Sequence, residues 1–340
     1  MVSENNDIAS VDQNGKITIN EYDASCPKDV EIPATIGGIP VTVIADSAFK
    51  NNKYISSVVL PNGVTTIGSY AFQNCTNLTS ISLADSITTI KYRAFQGCTN
   101  LKSIVLPSNI TTMGDNVFSG CTGIKEITFP ASLTTAECVL ANSSIETVYF
   151  EEGRTTTPYK LLRENTALKT VNLPSTLIST GNDLFYGCTA LEEVVIPEKV
   201  TSLGGWAFKS CTSLKYVSLP EGLLSIGEQA FADCINLTEI KIPSTVENIK
   251  YYAFWNCSAL TEIFIPDAVT TIGYRAFQGC TGLTSIELPS NIITMGDNVF
   301  SGCTGIKEIT IPASLTTAEC VLANSSIETV YFEEGRTTTP

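Results

Sequence analysis

The side chains of this chain that could do chemistry are its cysteines and carboxylates, and neither set is arranged for a reaction. The 340 residues contain no histidine, which removes Ser-His-Asp and Cys-His nucleophilic catalysis. The twelve cysteines include no Cys-x-x-Cys pair, so a zinc site would need four thiolates to converge from separate places. Carboxylates pair at Glu151-Glu152 and Glu192-Glu193. Neighbours on a strand point to opposite faces, so neither pair can bracket one bond, and both read as acidic surface. Gly114-Asp115-Asn116 and Gly296-Asp297-Asn298 lack the lysine and following helix of a phosphate loop. Ser10, Asp12, Asn14, Gly15, Ile17 and Glu21 match the spacing of an EF-hand-like calcium loop, but serine replaces the first aspartate and no helix precedes them. The better reading of Ile8 to Glu21 is a hairpin turning at Asn14-Gly15. No enzyme, cofactor or metal site is expected.

What positions these residues is a repeat. The stretch Pro61 to Leu83, PNGVTTIGSYAFQNCTNLTSISL, returns in residue type every 23 positions along most of the chain. Counted from its proline, apolar residues fall at Val64, Ile67, Phe72, Leu78, Ile81 and Leu83, with Gly68, Ala71 and Cys75 between them. Ser80-Ile81-Ser82-Leu83 alternates with period two, as a short half-buried strand does. Phe72-x-x-Cys75-x-x-Leu78 is spaced by threes, which suits a 3₁₀ or short helical turn. One unit cannot enclose its own apolar side, so units must stack and bury phenylalanine, leucine and isoleucine against their neighbours. Nine cysteines, from Cys75 to Cys303, occupy one slot of the unit, where Asn52 and Asn165 replace them in two others. Reduced thiols filling the core are expected there, although adjacent coils could also approach within disulfide range.

The signature Leu78-x-x-Ile81-x-Leu83 belongs to leucine-rich repeats. The wider pattern, Pro-x-x-apolar-x-x-Ile-Gly-x-x-Ala-Phe-x-x-Cys-x-x-Leu, resembles the BspA-type leucine-rich-repeat proteins of the surfaces of gut and oral bacteria and some parasitic protists. The resemblance covers roughly residues 38 to 340. It departs from ordinary leucine-rich repeats in having Ser86 where the usual asparagine follows the strand. It implies an α/β repeat solenoid, right-handed and curved, with roughly 13 short parallel strands and 3₁₀ or short helical turns opposite. It also implies an extracellular or cell-surface protein that adheres to or binds other proteins, and it carries over no binding residue.

Residues 1–37 do not repeat and are expected to cap the stack, with the solenoid running over 38–340 as one domain. The unit Pro130 to Phe150 has only 21 residues and has lost its Ala-Phe pair, and the next puts Arg154 and Thr157 at apolar positions. A bulge or kink is expected at that joint. Residues 110–158 and 292–340 differ only at Thr111 against Ile293 and Phe129 against Ile311, a block duplication with a shift of 182 residues. The chain stops at Pro340 in mid-unit, so continuation is the expectation, with Ile327 to Phe332 an uncapped edge open to edge-to-edge self-association.

A net charge of −14 argues against nucleic acid or anionic membrane as partner. No apolar run is long enough to span a bilayer. The start, Met1 to Asn6, has neither the basic nor the apolar region of a secretory signal, which leaves a cytosolic protein or a sequence that begins after a removed signal, and the resemblance alone favours the second. Binding must then come from surface residues. Outward strand positions are mostly small but include Tyr149, Tyr216, Phe264 and Tyr331, and a second row after each glycine slot holds Trp206, Tyr251, Tyr252 and Tyr274. Rigid aromatics are favoured contact residues. The tentative site is therefore Trp206, Tyr216, Tyr251, Tyr252, Phe264 and Tyr274, on the coils from Pro197 to Pro266, for a protein partner. A glycan stacked on the rings, a role as structural spacer, and tyrosines that merely cover the edge of the core are the alternatives.

Overall fold

A computed structural model describes residues 9–19 and 27–335. It contains two compact units, residues 1–154 with 161–172 and residues 155–160 with 173–340. Each is a stack of coils joined by parallel pairing. The division falls within the irregular unit that follows Phe150. There Arg154 and Thr157 are buried. The Arg154 guanidinium donates to the Pro130 carbonyl at 2.6 Å, and the Thr157 hydroxyl accepts from the Gly181 amide at 2.8 Å.

The coils build two ladders. One is formed by dipeptides ending at the repeat position of Ile67, where isoleucine, methionine or alanine stands. Val43–Ile44, Thr66–Ile67, Thr89–Ile90, Thr112–Met113 and Thr135–Ala136 pair in parallel in the first unit. Ser225–Ile226, Asn248–Ile249, Thr271–Ile272, Thr294–Met295 and Thr317–Ala318 do so in the second. The period-two pattern does not advertise this ladder, because two residues are too few to alternate. The other ladder holds the expected strands, such as Ser57–Val59 paired with Ser80–Ser82 and Glu126–Phe129 paired with Thr147–Phe150. Its outward residues are exposed and its inward ones buried. It is interrupted, with no strand at residues 102–106 or 238–242, so the expected one strand per unit holds only in some coils.

The segment opposite the strands has no 3₁₀ or α-helix among the described residues. The physical reason is an alternation of backbone hand. Tyr70 and Asn74 have φ of 58° and 57°, in the left-handed region. Amides at alternate positions therefore turn outward along the stack, from Tyr70 to the Tyr92 carbonyl, Phe72 to Ala94 and Asn74 to Gln96. The intervening amides close tight turns within the coil, Ala71 to Gly68, Gln73 to Tyr70 and Cys75 to Phe72. Spacing by threes is compatible with these turns as well as with 3₁₀ geometry. Glycine before this segment is a packing requirement, since a Cβ on Gly273 would lie 2.4 Å from the Tyr251 amide nitrogen.

Inside, the phenylalanines stack. Phe49, Phe72, Phe95 and Phe118 form one column with centroids 5.0, 5.3 and 5.9 Å apart. A second runs from Phe185 through Phe208, Phe231, Phe254 and Phe277 to Phe300. Every described cysteine is free of disulfides, and those of the repeat slot are buried. They do more than fill space. Eight of these nine thiols donate to the phenylalanine carbonyl of the preceding coil, as Cys75 does to Phe49 at 3.0 Å and Cys257 to Phe231 at 3.1 Å. Burial pushes the Cys75, Cys121 and Cys303 thiols up to about 12. Asn52 takes the slot in the first unit and caps the Tyr54 and Ile55 amides through its side-chain oxygen.

At the start, Ala9–Val11 pairs antiparallel with Lys16–Ile19, and Lys16-Ile17 joins Val43-Ile44 in parallel. The hairpin thus hooks onto the dipeptide ladder. The Asp12 carboxylate accepts from the Asn14 and Lys16 amides within its turn. Ile8 and Glu21, the ends of the expected hairpin and the latter also of the calcium-loop alternative, lie outside the described residues, as does Pro340. Asp29–Glu31 already pairs as a face strand with Ser57–Val59.

Candidate binding surface

The expected site residues separate into two groups. Tyr216 and Phe264 come together on the strand face of the second unit, lining a groove of 530 Å³ with Glu239, Lys241, Glu262 and Glu287. Phe264 is 68% exposed and Tyr216 44%, which is a large apolar surface to leave in water on a face whose outward residues are mostly small or charged. Tyr251, Tyr252 and Tyr274 form a separate cluster on the turn side, and Trp206 stands on the same row in an earlier coil.

The groove coincides with the interruption of the strand ladder. Strand Glu193–Val195 pairs with Tyr216–Ser218, after which pairing lapses until the bridge from Phe264 to Glu287. None of the amides of residues 239–242 donates to a neighbouring coil. What remains is stretched, 3.4 Å from the Thr261 amide to the Thr238 carbonyl against 2.9 Å from Lys215 to Glu192. Main-chain donors and acceptors on this stretch of the face are therefore available to water or a ligand. Inward, Ile240, Ile242, Ile263 and Ile265 remain buried, so the opening is confined to the surface layer.

Charge around the groove is acidic. Lys241 is engaged by Glu221 at 3.0 Å, whose carboxyl is held below the ordinary range by hydrogen bonds from Lys241 and Ser244. Lys215 is likewise engaged by Glu192 at 2.7 Å. Glu239, Glu262 and Glu287 line the groove, and none of them takes part in the ion pairs found among the described residues. Sequence reasoning found the two aromatics but not these carboxylates. The signal was present, since they occupy the same outward strand offsets as Tyr216 and Phe264.

The turn-side cluster is built differently. Tyr252 meets Tyr274 edge to face at 5.4 Å and Trp255 at 6.1 Å, with Arg275 over the Tyr274 ring at 4.8 Å. Trp255 was not anticipated. The Tyr251 hydroxyl donates to Glu228, a bond that raises its phenol above the ordinary value. These rings largely hold one another. Trp206 and Tyr252 sit at φ of 55° and 54°, where other coils place Asn116 and Asn298. Asparagine tolerates the left-handed region more readily than a bulky residue, so backbone geometry does not account for the aromatics. Among the described residues no group of carboxylates and cysteines is arranged to hold a metal ion. Nor is any helix long and apolar enough to cross a membrane.

Comparison with known proteins gives the family. The profile of the BspA type leucine rich repeat region, in six copies, matches residues 42–165, 137–261 and 225–339. Among solved structures, a leucine-rich repeat protein from Bacteroides ovatus ATCC 8483 is 27% identical over 92% of this chain and 89% of that one, with a TM-score of 0.68. A leucine-rich repeat protein from Eubacterium ventriosum ATCC 27560 is 22% identical over 93% of this chain and 95% of that one, with a TM-score of 0.54, a likeness of fold alone. A search of curated proteins finds no match. The matched repeats span nearly the whole described chain, and the chain belongs to the BspA-type leucine-rich-repeat family.

Proposed function

We propose that this is a non-catalytic binding and adhesion protein displayed at the cell surface, and that a protein partner docks on the groove lined by Tyr216 and Phe264. The observation that carries the reading is the conjunction of two exposed aromatic rings, an acidic rim and an opened main-chain ladder within one groove. Aromatic anchors in a concave patch are the usual energetic centre of a protein interface. Glu239, Glu262 and Glu287 favour a partner surface bearing lysine or arginine, in keeping with the net charge of −14. Surface display is the setting of the family it belongs to. The turn-side residues Trp206, Tyr251, Tyr252 and Tyr274 are a secondary contact row.

The test is a paired screen of the full chain against extracellular-matrix proteins and a glycan array, followed by Tyr216→Ala and Phe264→Ala. Each substitution is expected to weaken binding to a matrix protein by about 2 kcal/mol, roughly thirtyfold in Kd. Salt should weaken it further. Glycan binding that depends on the same rings would replace the protein reading with a lectin-like one. Unchanged affinity in the folded double variant would remove the groove from the site.

A further inference from the structure

The shift of 182 residues also sets two turn-side clusters against each other, one in each unit. They keep one frame. Tyr70 meets Tyr92 edge to face at 5.3 Å, and Tyr252 meets Tyr274 at 5.4 Å. Arg93 and Arg275 lie over the second ring of each pair, both at 4.8 Å. A frame that recurs in the same geometry belongs to the build of the coil. Three residues around it differ in a consistent direction. Lys50, whose ammonium lies over the Tyr70 ring at 4.9 Å, is matched by Ala232. Ser69 is matched by Tyr251, 45% exposed, and Gln73 by Trp255. The Gln73 amide donates to the Gln96 oxygen at 2.6 Å, whereas the matching Gln278 oxygen is buried without a hydrogen bond. Each exchange removes polar cover or adds ring surface, and the last leaves a buried acceptor unpaired, which destabilises the coil.

In the second unit the enriched cluster is part of a row. Trp206, then Glu228 and Gln229, then Tyr251 and Tyr252, then Tyr274 and Arg275 hold the same offsets of successive coils. Their backbones are tied one to the next. The Trp206 amide donates to the Glu228 carbonyl at 2.8 Å, Gln229 to Tyr251 at 3.1 Å and Tyr252 to Tyr274 at 2.9 Å. Side chains continue the link, with Lys209 donating to Gln229, Gln229 to Glu228 at 3.2 Å, and the Tyr251 hydroxyl to Glu228. The row is therefore held in place before any ligand arrives. Its interval is that of the coils, 5.3 and 5.4 Å between the stacked rings of Phe208, Phe231 and Phe254 inside.

We propose that this row, with Trp255, is a binding site for an extended, neutral chain of β-1,4-linked hexoses, a ligand separate from the protein partner of the groove. Aromatic rings at fixed intervals offer apolar surface to the apolar faces of successive sugars. The planar groups beside them, the Glu228 carboxylate, the Gln229 amide and the Arg275 guanidinium, bond the hydroxyls at the sugar edges and set orientation. The coil interval is close to the length that one such hexose adds to an extended chain, so sugars and coils stay in step. Charge selects a neutral polymer, since Glu228 and the net charge of −14 disfavour uronic or sulfated ones. A protein hot spot concentrates apolar surface and excludes water around it. Here each aromatic position has a charged or amide side chain on its own or the next coil.

Trp206 and Trp255 are the two tryptophans of the chain, so intrinsic emission reports on this site directly. The full chain is titrated with cellohexaose and β-1,4-mannohexaose, and with carboxymethylated cellohexaose as the anionic control. A saturable emission change is expected with at least one neutral hexaose, at a Kd at least about tenfold below that of its disaccharide because more coils are engaged. The anionic form should bind more weakly. Tyr251→Ser with Trp255→Gln gives the second unit the residues with which the first already folds, Ser69 and Gln73. Calorimetric titration of that variant should show affinity reduced at least about tenfold, with an unchanged unfolding midpoint. Tyr251→Ser alone, at an exposed position, carries the same prediction should the pair perturb the coil. Tyr216→Ala with Phe264→Ala should leave oligosaccharide binding as it is, which keeps the outcome here apart from that of the groove. No response to either hexaose, a response undiminished in the exchanged variants, or affinity independent of chain length would overturn the site. Equal or tighter binding of the anionic form would overturn the neutral ligand. Loss of matrix-protein binding in the exchanged variants, without any carbohydrate response, would return the row to a protein interface.

Discussion

The two sides of each coil follow different rules. On the turn side, glycine, left-handed residue, phenylalanine and cysteine recur in register, and alternate amides reach the next coil in turn. On the strand face, pairing starts and stops, and outward residues range from Ser80 and Ser82 to Phe264. The turn side fixes coil spacing through backbone bonds, stacked rings and thiols. That leaves the strand face free to lose pairing without loss of the fold, and the groove occurs where it has done so. In this molecule the repeated backbone bonds, stacked rings and thiols lie on the turn side, and the proposed docking groove lies on the strand face.

That separation can be broken from the turn side first. Phe231→Ala removes a ring packed 5.3 Å from Phe208 and 5.4 Å from Phe254, and should cost about 3–5 kcal/mol in urea unfolding. A loss under about 1 kcal/mol would mean that the column is not the main support.

The thiols give a smaller effect with a definite pH window. The unfolded thiol releases its proton near 9.0, while folded Cys75, Cys121 and Cys303 hold theirs to about 12. Between these values the unfolded state binds fewer protons, so this contribution is complete below pH 9 and is lost as pH rises toward 12. Each thiol contributes at most ~1.4 kcal/mol per pH unit there. Unfolding midpoints measured across that range should fall less steeply in Cys121→Ala than in the parent chain; equal slopes would remove the thiols as the cause.

The smallest stability effect should come from the face. Tyr216→Ala with Phe264→Ala is expected to change unfolding free energy by no more than about 0.5 kcal/mol, because both rings are exposed. A loss comparable to that of Phe231→Ala would show that the groove supports the stack and would erase the contrast.

The sequence by itself determined the repeat, the inward residues, the family resemblance and the absence of histidine chemistry. These follow from residue type and period, and stacking leaves a unit of 23 residues only one apolar side to bury. It also pointed to Tyr216 and Phe264, since alternation assigns a strand residue to a face. Tertiary structure decided what depends on the distance between coils. The turns proved to be alternating left-handed links, because spacing by threes cannot distinguish a bond within a coil from one to the next. The dipeptide ladder is held by partners about 23 residues away, so local pattern could not reveal it. That Tyr216 and Phe264, from separate coils, line one groove is likewise invisible in local pattern. Which side chains meet across coils is a property of the stack, and only the folded chain brings them together.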